Sequence, residues 1–497
     1  MSISSFACST AERSRPPRVG CLCHGPGFAR LNALVERKFS RPGFFSTSVA
    51  TTAKRKATAA AIGAAASASG PLPAAAPRAP IAFTNVKVFD GKSDALRRGV
   101  TVIVEGNAIK AIEDKGNPPG SDMEVIDGGG RTLTPGLIDA HWHAMMAAIP
   151  IQQLLMADIG YINIVAADQA EQTLMRGFTT VRDMAGPAFG LKRAIDSGVI
   201  AGPRIWPSGA MISQTSGHGD FRMPYEVPAP FDAPLSHGER LGGGMIADGV
   251  DQVLKRVREQ LMLGASQIKL AAGGGVSSNY DPLDVSQYTA SEFRAAVEAA
   301  ENWGTYVAVH AYTPRAIQTA IRAGVRCIEH GQLMDEETAK FIADHDVWLS
   351  AQPFLNDEDA TAFPEGSANH RKLLDMTAGT EAAYRYAIKH KLKTAWGTDT
   401  LFDPKLTTRQ GAQLAKMKRW YSPIEILKTA TGTNGELLRM AGPRNPYSRR
   451  IGVIEPGAFA DLLLVEGDPT ADIDLVADPN NFVLIMKDGR IFKNGLS

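Results

Sequence analysis

His141 and His143 are separated by one residue in Gly136-Leu-Ile-Asp-Ala-His-Trp-His143. On an extended chain residues two apart face the same way, so both imidazoles can reach one metal ion. Lys269 stands inside Ser266-Gln-Ile-Lys-Leu-Ala-Ala272, an apolar-leaning run closed by three glycines, where an unpaired ammonium would be costly. His310, His330 and Asp399 follow, each at the end of another short apolar run: YVAVHAY, RCIEHG and KTAWGTD. A lone histidine near a strand end is ordinarily a hydrogen-bonded residue with no ligand. Four of the chain's ten histidines and an aspartate at run ends, with a lysine inside another such run, form a pattern expected of a metal centre.

Such residues need a frame that brings run ends together. Between about Pro135 and Gly442 eight strand-like runs occur: GLIDAHWH, FTTVRDM, RIWPSGAM, SQIKLAA, YVAVHAY, RCIEHG, VWLSAQP and KTAWGTD. Helical segments such as ASEFRAAVEAAENW and TPRAIQTAIRAG separate several of them. Ser422-Pro-Ile-Glu425 opens another helix with capping-box spacing and Pro at its first position. Eight such units predict an α/β chain, a (β/α)8 TIM barrel, in which chemistry sits at the C-terminal strand ends. On either side lie β-rich flanks: IAFTNVKVF and VTVIVEGNAIKAIE before it, FADLLLVEGDP and FVLIMKDGRIFKN after it. Each flank is too short to bury a core alone, so a small β-sandwich domain made by both chain ends is expected. The division reads 1–80 leader or disordered segment, 81–134 first part of the β domain, 135–442 barrel, 443–497 second part.

The order TPGLIDAHWH, GASQIKLAAGGG, VHAY, IEHG, WGTDT resembles the amidohydrolase superfamily in its binuclear-metal branch, from about Ile81 to the C-terminus. The segment PSGAMISQTSGHGD makes the chain similar to the metal-dependent carboxypeptidases, Xaa-Pro dipeptidases and ochratoxin amidohydrolases within it. The resemblance implies two divalent metal ions. His141, His143 and Asp399 would hold one and His310 and His330 the other, with Lys269, carboxylated by carbon dioxide, bridging them. Imidazole and carboxylate donors suit Zn2+, and also accept Mn2+, Co2+ or Fe2+. Asp399 is then the general acid–base group of an amide or peptide hydrolysis that releases a C-terminal amino acid. His218, in TSGHGD, and Tyr312, two past His310, are expected to hold the substrate's carbonyl oxygen or terminal carboxylate. A cyclic-amide hydrolase of the imidazolonepropionase or dihydroorotase kind shares the same metal core and is the alternative. A non-catalytic scaffold is disfavoured, because all six ligand positions are filled. The resemblance also implies a homo-oligomer, a dimer or an octamer.

Composition sets outer bounds. The chain is 44% hydrophobic and 21% charged, ordinary for a globular protein. No apolar run of about 18 residues occurs, so no membrane span is expected. The net charge of +1 conceals an asymmetry: residues 1–80 carry 11 Lys and Arg against two acids, whereas residues 81–497 carry 42 basic and 50 acidic residues. A body of that sign is a poor nucleic-acid binder; the resemblance implies a small amide or peptide as the partner. The stretch RKFSRPGFFSTSVATTAKRK is Arg- and Ser-rich and acid-poor, as in mitochondrial transit peptides, while KRKATAAAIGAAASASGPLPAAA offers a weaker secretory reading. Cys8, Cys21 and Cys23 lie in this leader and Cys327 stands alone in the body, so the body forms no internal disulfide.

Overall fold

The computed structural model describes residues 79–114, 119–230 and 233–496. The leader expected over residues 1–80, with its three cysteines, lies outside the described residues but for Ala79 and Pro80.

Strands β1 (Ile81–Val88), β2 (Arg97–Glu105), β3 (Ala108–Asp114), β4 (Glu124–Asp127) and β5 (Thr132–Pro135) form the first flank. The central region supplies β6 (Leu137–Trp142), β7 (Phe178–Asp183), β8 (Arg204–Pro207), β9 (Met211–Ser213), β10 (Gly244–Ile246), β11 (Ile268–Ala271), β12 (Val307–Ala311), β13 (Cys327–His330), β14 (Trp348–Ala351) and β15 (Lys393–Trp396). The last flank adds β16 (Leu462–Val465), β17 (Phe482–Lys487) and β18 (Arg490–Asn494).

Both flanks enter one eight-stranded sheet, in the order β18-β17-β16-β5-β1-β2-β3, with β4 beside β1. The seam between chain ends is the antiparallel β16–β5 pair, Leu463 opposite Thr134. The pairing joins these strands in a single sheet, where two separate layers are the expectation for a sandwich. Register shifts in β1 explain how one strand serves two neighbours: its start pairs with β4 and its end with β5. The β17–β18 hairpin closes through Asp488-Gly489, both with positive φ, as two-residue hairpin turns require.

The central strands are parallel, as helical crossovers dictate. They pair as β6-β7-β8 and as β10-β9-β11-β12-β13-β14-β15, so the ladder is two parallel sheets and not one closed circuit. The third expected strand, RIWPSGAM, breaks into β8 and β9 with Ser208–Ala210 between them. Gly209 there has φ +73°, and a Cβ on it would overlap the Gln260 side chain that accepts from Ala210 N at 3.0 Å. Single hydrogen bonds cross between the two sheets: Ser266 N to Pro207 O at 2.8 Å, and Asp399 N to His141 O at 2.8 Å.

Helices cover the parallel sheets with apolar stripes. Ala290–Asn302 carries a capping box from Thr289 and Glu292 and buries Phe293, Ala296, Val297 and Ala300. Pro314–Arg322 begins on Pro at its first turn and buries Ile317 and Ile321. The Ser422 and Glu425 capping box opens Pro423–Lys428 as its sequence predicts. The long helix Ala368–Lys389 follows β14 and turns one end toward the C-terminal strand ends. No described helix is long and apolar enough to cross a membrane.

Candidate active site

All eight residues singled out in the sequence meet at one cavity of about 390 Å³ at the C-terminal ends of the parallel strands. His141 lies in β6 and His143 just past it, their rings 5.3 Å apart. Lys269 is the second residue of β11, His310 lies in β12, His330 ends β13 and Asp399 follows β15. The rings of His310 and His330 are 4.5 Å apart, and those of His141 and His330 are 5.0 Å apart. His330 and Asp399 both adopt positive φ, +83° and +52°. Such backbone is unfavourable for these residues and is held only where surroundings enforce it, which is common at working sites.

Each histidine has one ring nitrogen engaged on its outer side. His141 Nδ1 donates to Glu329 Oε2 at 2.8 Å and His330 Nδ1 to Gln352 Oε1 at 2.7 Å. His310 Nε2 donates to Gly274 O at 3.0 Å, and His143 Nδ1 lies 3.4 Å from Ala185 O. Carbonyl and carboxylate partners accept only, so the outer nitrogen carries the proton and the inner one carries a lone pair. Burial pushes His143, His310 and His330 below the usual imidazole range, which favours this neutral form. Inward, His143 Nε2 lies 2.9 Å and His141 Nε2 3.2 Å from Asp399 Oδ1. The His330 ring borders the same carboxylate, its outer Nδ1 3.8 Å from Asp399 Oδ2. Ligand atoms of His141, His330 and Asp399 all fall within 4.8 Å of one another. Electron pairs converging this closely repel unless a cation lies among them, so the donor set fits a divalent metal.

Lys269 Nζ is 3.5 Å from His141 Nε2. Burial depresses its amine to about 8, against the opposing pull of Glu329 and Asp399. Burial alone would raise the Asp399 carboxyl, but protons on the inward nitrogens of His141 and His143, the places a cation would otherwise fill, hold it well below the usual range.

Sequence reading missed the supports. Arg182, fully buried in β7, donates to Glu329 at 2.7 and 2.8 Å, to Tyr306 at 3.1 Å and to Ser350 at 3.2 Å. Burial would raise Glu329, yet Arg182 and His141 keep it well below its ordinary value. The Arg182–Glu329 pair thus fixes the His141 ring from behind. Asp139, also fully buried, accepts from His141 N at 3.0 Å, Thr398 Oγ1 at 2.8 Å and Gln410 Nε2 at 2.8 Å, joining β6 to the segment that carries Asp399. The signal was available: Arg182 and Glu329 are charges inside apolar strands, the same anomaly that marks Lys269.

The triple glycine after β11 also acquires a reason. A Cβ on Gly274 would overlap Pro282 O, and one on Gly275 would overlap the His218 ring. The loop therefore passes flat against His218, whose ring stacks on His310 at 4.0 Å. Tyr312 packs edge-on to His310 at 4.7 Å. Val276, Phe354, Phe363, Leu373 and Met376 give the cavity an apolar wall. Among the described residues lining it there is no arginine. Lys416, the lining cation besides Lys269, is paired with Asp357 at 2.6 Å and Asp359 at 2.7 Å.

A family model described as "Amidohydrolase family" matches residues 132–492. Among curated proteins, ochratoxinase of Aspergillus niger is 33% identical over 328 residues, 65% of this chain and 67% of that protein. Among solved structures, an amidohydrolase is 35% identical with a TM-score of 0.76, covering 84% of this chain and 100% of that one. A prolidase complexed with N-methylphosphonate-L-proline is 32% identical with the same TM-score and the same coverage.

Proposed function

This chain belongs to the amidohydrolase family, and from that premise we propose that it is a metal-dependent enzyme that hydrolyses an amide or peptide bond and releases a C-terminal amino acid. The observation that carries the reading is the convergence of inward lone pairs from His141 and His143 on Asp399, with Lys269 beside them. We read the two parallel sheets as arcs of one (β/α)8 barrel, joined by the Ser266–Pro207 and Asp399–His141 hydrogen bonds.

His141, His143 and Asp399 would hold one ion, and His310 and His330 the second. Lys269 answers its own anomaly: a desolvated neutral amine can add to carbon dioxide and release a proton, and the carbamate so formed would help hold the ions. Zn2+ is the proposed metal on donor type. Ions held there would supply a water ionised near neutral pH and polarisation of the scissile carbonyl. Asp399 Oδ accepts the proton of the attacking water and returns it to the leaving amine nitrogen. His218 and Tyr312, beside His310 in the same cavity, hold the carbonyl oxygen or the terminal carboxylate. The lack of an arginine among the described lining residues leaves that carboxylate to these two. A related prolidase is complexed with N-methylphosphonate-L-proline, which supports an amino-acid amide as the substrate class.

The test is a panel of dipeptides, N-acyl amino acids and cyclic amides on purified protein of measured metal content. Turnover of the open-chain acids, lost with the second metal in Lys269→Ala, is expected. Turnover of cyclic amides alone, or wild-type rates and two metals in Lys269→Ala, would overturn the reading.

A further inference from the structure

His218 is gripped on the side away from His310. Its Nδ1 lies 2.7 Å from Ser278 Oγ. Ser278 donates its one hydroxyl proton to Asp281 Oδ2 at 2.7 Å, so its oxygen accepts from His218 Nδ1. Asp281 Oδ2 also accepts from Gly275 N at 2.7 Å and stands 3.5 Å from His218 Nδ1. Ser278 and Asp281 are almost wholly buried, so water does not compete for these bonds. The loop that carries both is stapled from the helix Ala368–Lys389. Lys372 Nζ donates to Gly275 O at 2.9 Å, Ser278 O at 2.9 Å and Asp281 O at 2.7 Å. Asn369 Nδ2 donates to Val276 O at 2.7 Å and Ser278 O at 3.2 Å. None of these residues is among those expected to bind metal or substrate.

We propose that Asp281, acting through Ser278, is a positioning residue that locks the His218 ring: Nδ1–H is spent on Ser278, an Nε2–H on the same ring meets the acceptor oxygen of the substrate, and the Asp281 carboxylate behind the relay offsets the ring's charge. The relay uses Nδ1, the stack on His310 fixes the ring plane, and Gly275 leaves room for the ring to lie flush. Lys372 and Asn369 hold the relay loop by its carbonyls, so a helix some 90 residues further along the chain sets the pose of a substrate-holding histidine. The inference rests on the reading of His218 as a group that holds substrate.

Two variants test it without removing His218. Ser278→Ala deletes the acceptor of Nδ1. Asp281→Asn replaces an obligate acceptor with a group that can donate to Ser278 and turn its hydroxyl toward Nδ1. Kinetics are read with N-acetyl-L-phenylalanine and its C-terminal amide. Wild type should prefer the acid in kcat/KM by roughly tenfold or more, and both variants should lower that ratio several-fold, chiefly through KM for the acid. A merely structural role would lower acid and amide rates alike, and an unchanged ratio overturns the proposal. The second readout does not depend on substrate: the crystal structure of Ser278→Ala should show the His218 ring rotated off its stack on His310, whereas the reversed Ser278–Nδ1 bond keeps the pose in Asp281→Asn. If the ring keeps its wild-type pose in Ser278→Ala, the proposal is wrong even where the kinetics change. Should wild type hydrolyse neither probe, the reading of the function fails, and the ring pose still decides the relay.

Discussion

Arg182 and Glu329 are both fully removed from solvent. Burying two opposite charges is weak evidence for stability, because desolvation offsets most of their attraction. Their placement behind His141 supplies a different reason to keep them. Glu329→Gln would leave Arg182 uncompensated and weaken the acceptor of His141 Nδ1. The expected loss is about 3–5 kcal/mol in chemical denaturation and roughly 10–100-fold in metal affinity. The double variant Arg182→Met with Glu329→Leu separates the two effects. It should recover much of the stability and none of the metal affinity, read by denaturation and metal titration on the same preparations. Asp399→Asn probes the other side of the site. It keeps shape and removes a base, so kcat should fall roughly 10²–10⁴-fold with KM little changed. An unchanged kcat with a raised KM would mark Asp399 as a binding residue instead.

At the scale of elements, much of the site was legible because strands place every second residue on one face and parallel strands end together. That logic located His141, His143, Lys269, His310, His330 and Asp399 without coordinates. It failed where geometry is not periodic. The break of the third strand depends on Gly209 and on a glutamine from a distant helix, which no local pattern announces. The closeness of elements was equally hidden. Gly397 in TAWGTD packs on the backbone of His141, and a Cβ there would overlap the His141 amide and its side chain. Glycine at that point is therefore a spacer between the last strand and the first. Gly397→Ala should cost about 1–3 kcal/mol, the usual range for overpacking a filled site. Because the displaced residue is His141, bound metal per chain should also drop. A variant of normal stability and full metal content would show that the strand ends relax apart freely. The relay residues Ser278 and Asp281 were unreadable for another reason: they act through a loop whose path is set by a helix far along the chain.

For the molecule as a whole, the question is whether the sheet built by both chain ends is an independent body or part of the same cooperative unit as the parallel strands. Arg204, at the start of β8, argues for one unit. Its guanidinium donates to Asp461 at 2.9 and 3.2 Å and to Asp488 Oδ1 at 2.7 Å, and lies 3.7 Å above the Phe459 ring. Burial alone would lower this arginine, but Asp461 and Asp488 hold it above its ordinary value, so the charge is kept and paired. Asp461 Oδ1 also accepts from Asp488 N at 2.7 Å, and Asp461 O accepts from Gly136 N at 2.9 Å. One carboxylate thus ties the hairpin turn of β17–β18 to a strand of the parallel region. Phe482 of β17 joins the same apolar core as Phe178 and Trp396. Asp461→Ala removes the main partner of a buried cation and should cost about 3–5 kcal/mol. If the sheet and the parallel strands form one unit, the variant melts in a single transition at lower temperature. Amide exchange then rises together in β16–β18 and in β8. If exchange rises in β16–β18 alone while β8 keeps its protection and the enzyme its activity, the terminal sheet is a separate body that merely rests on the parallel strands.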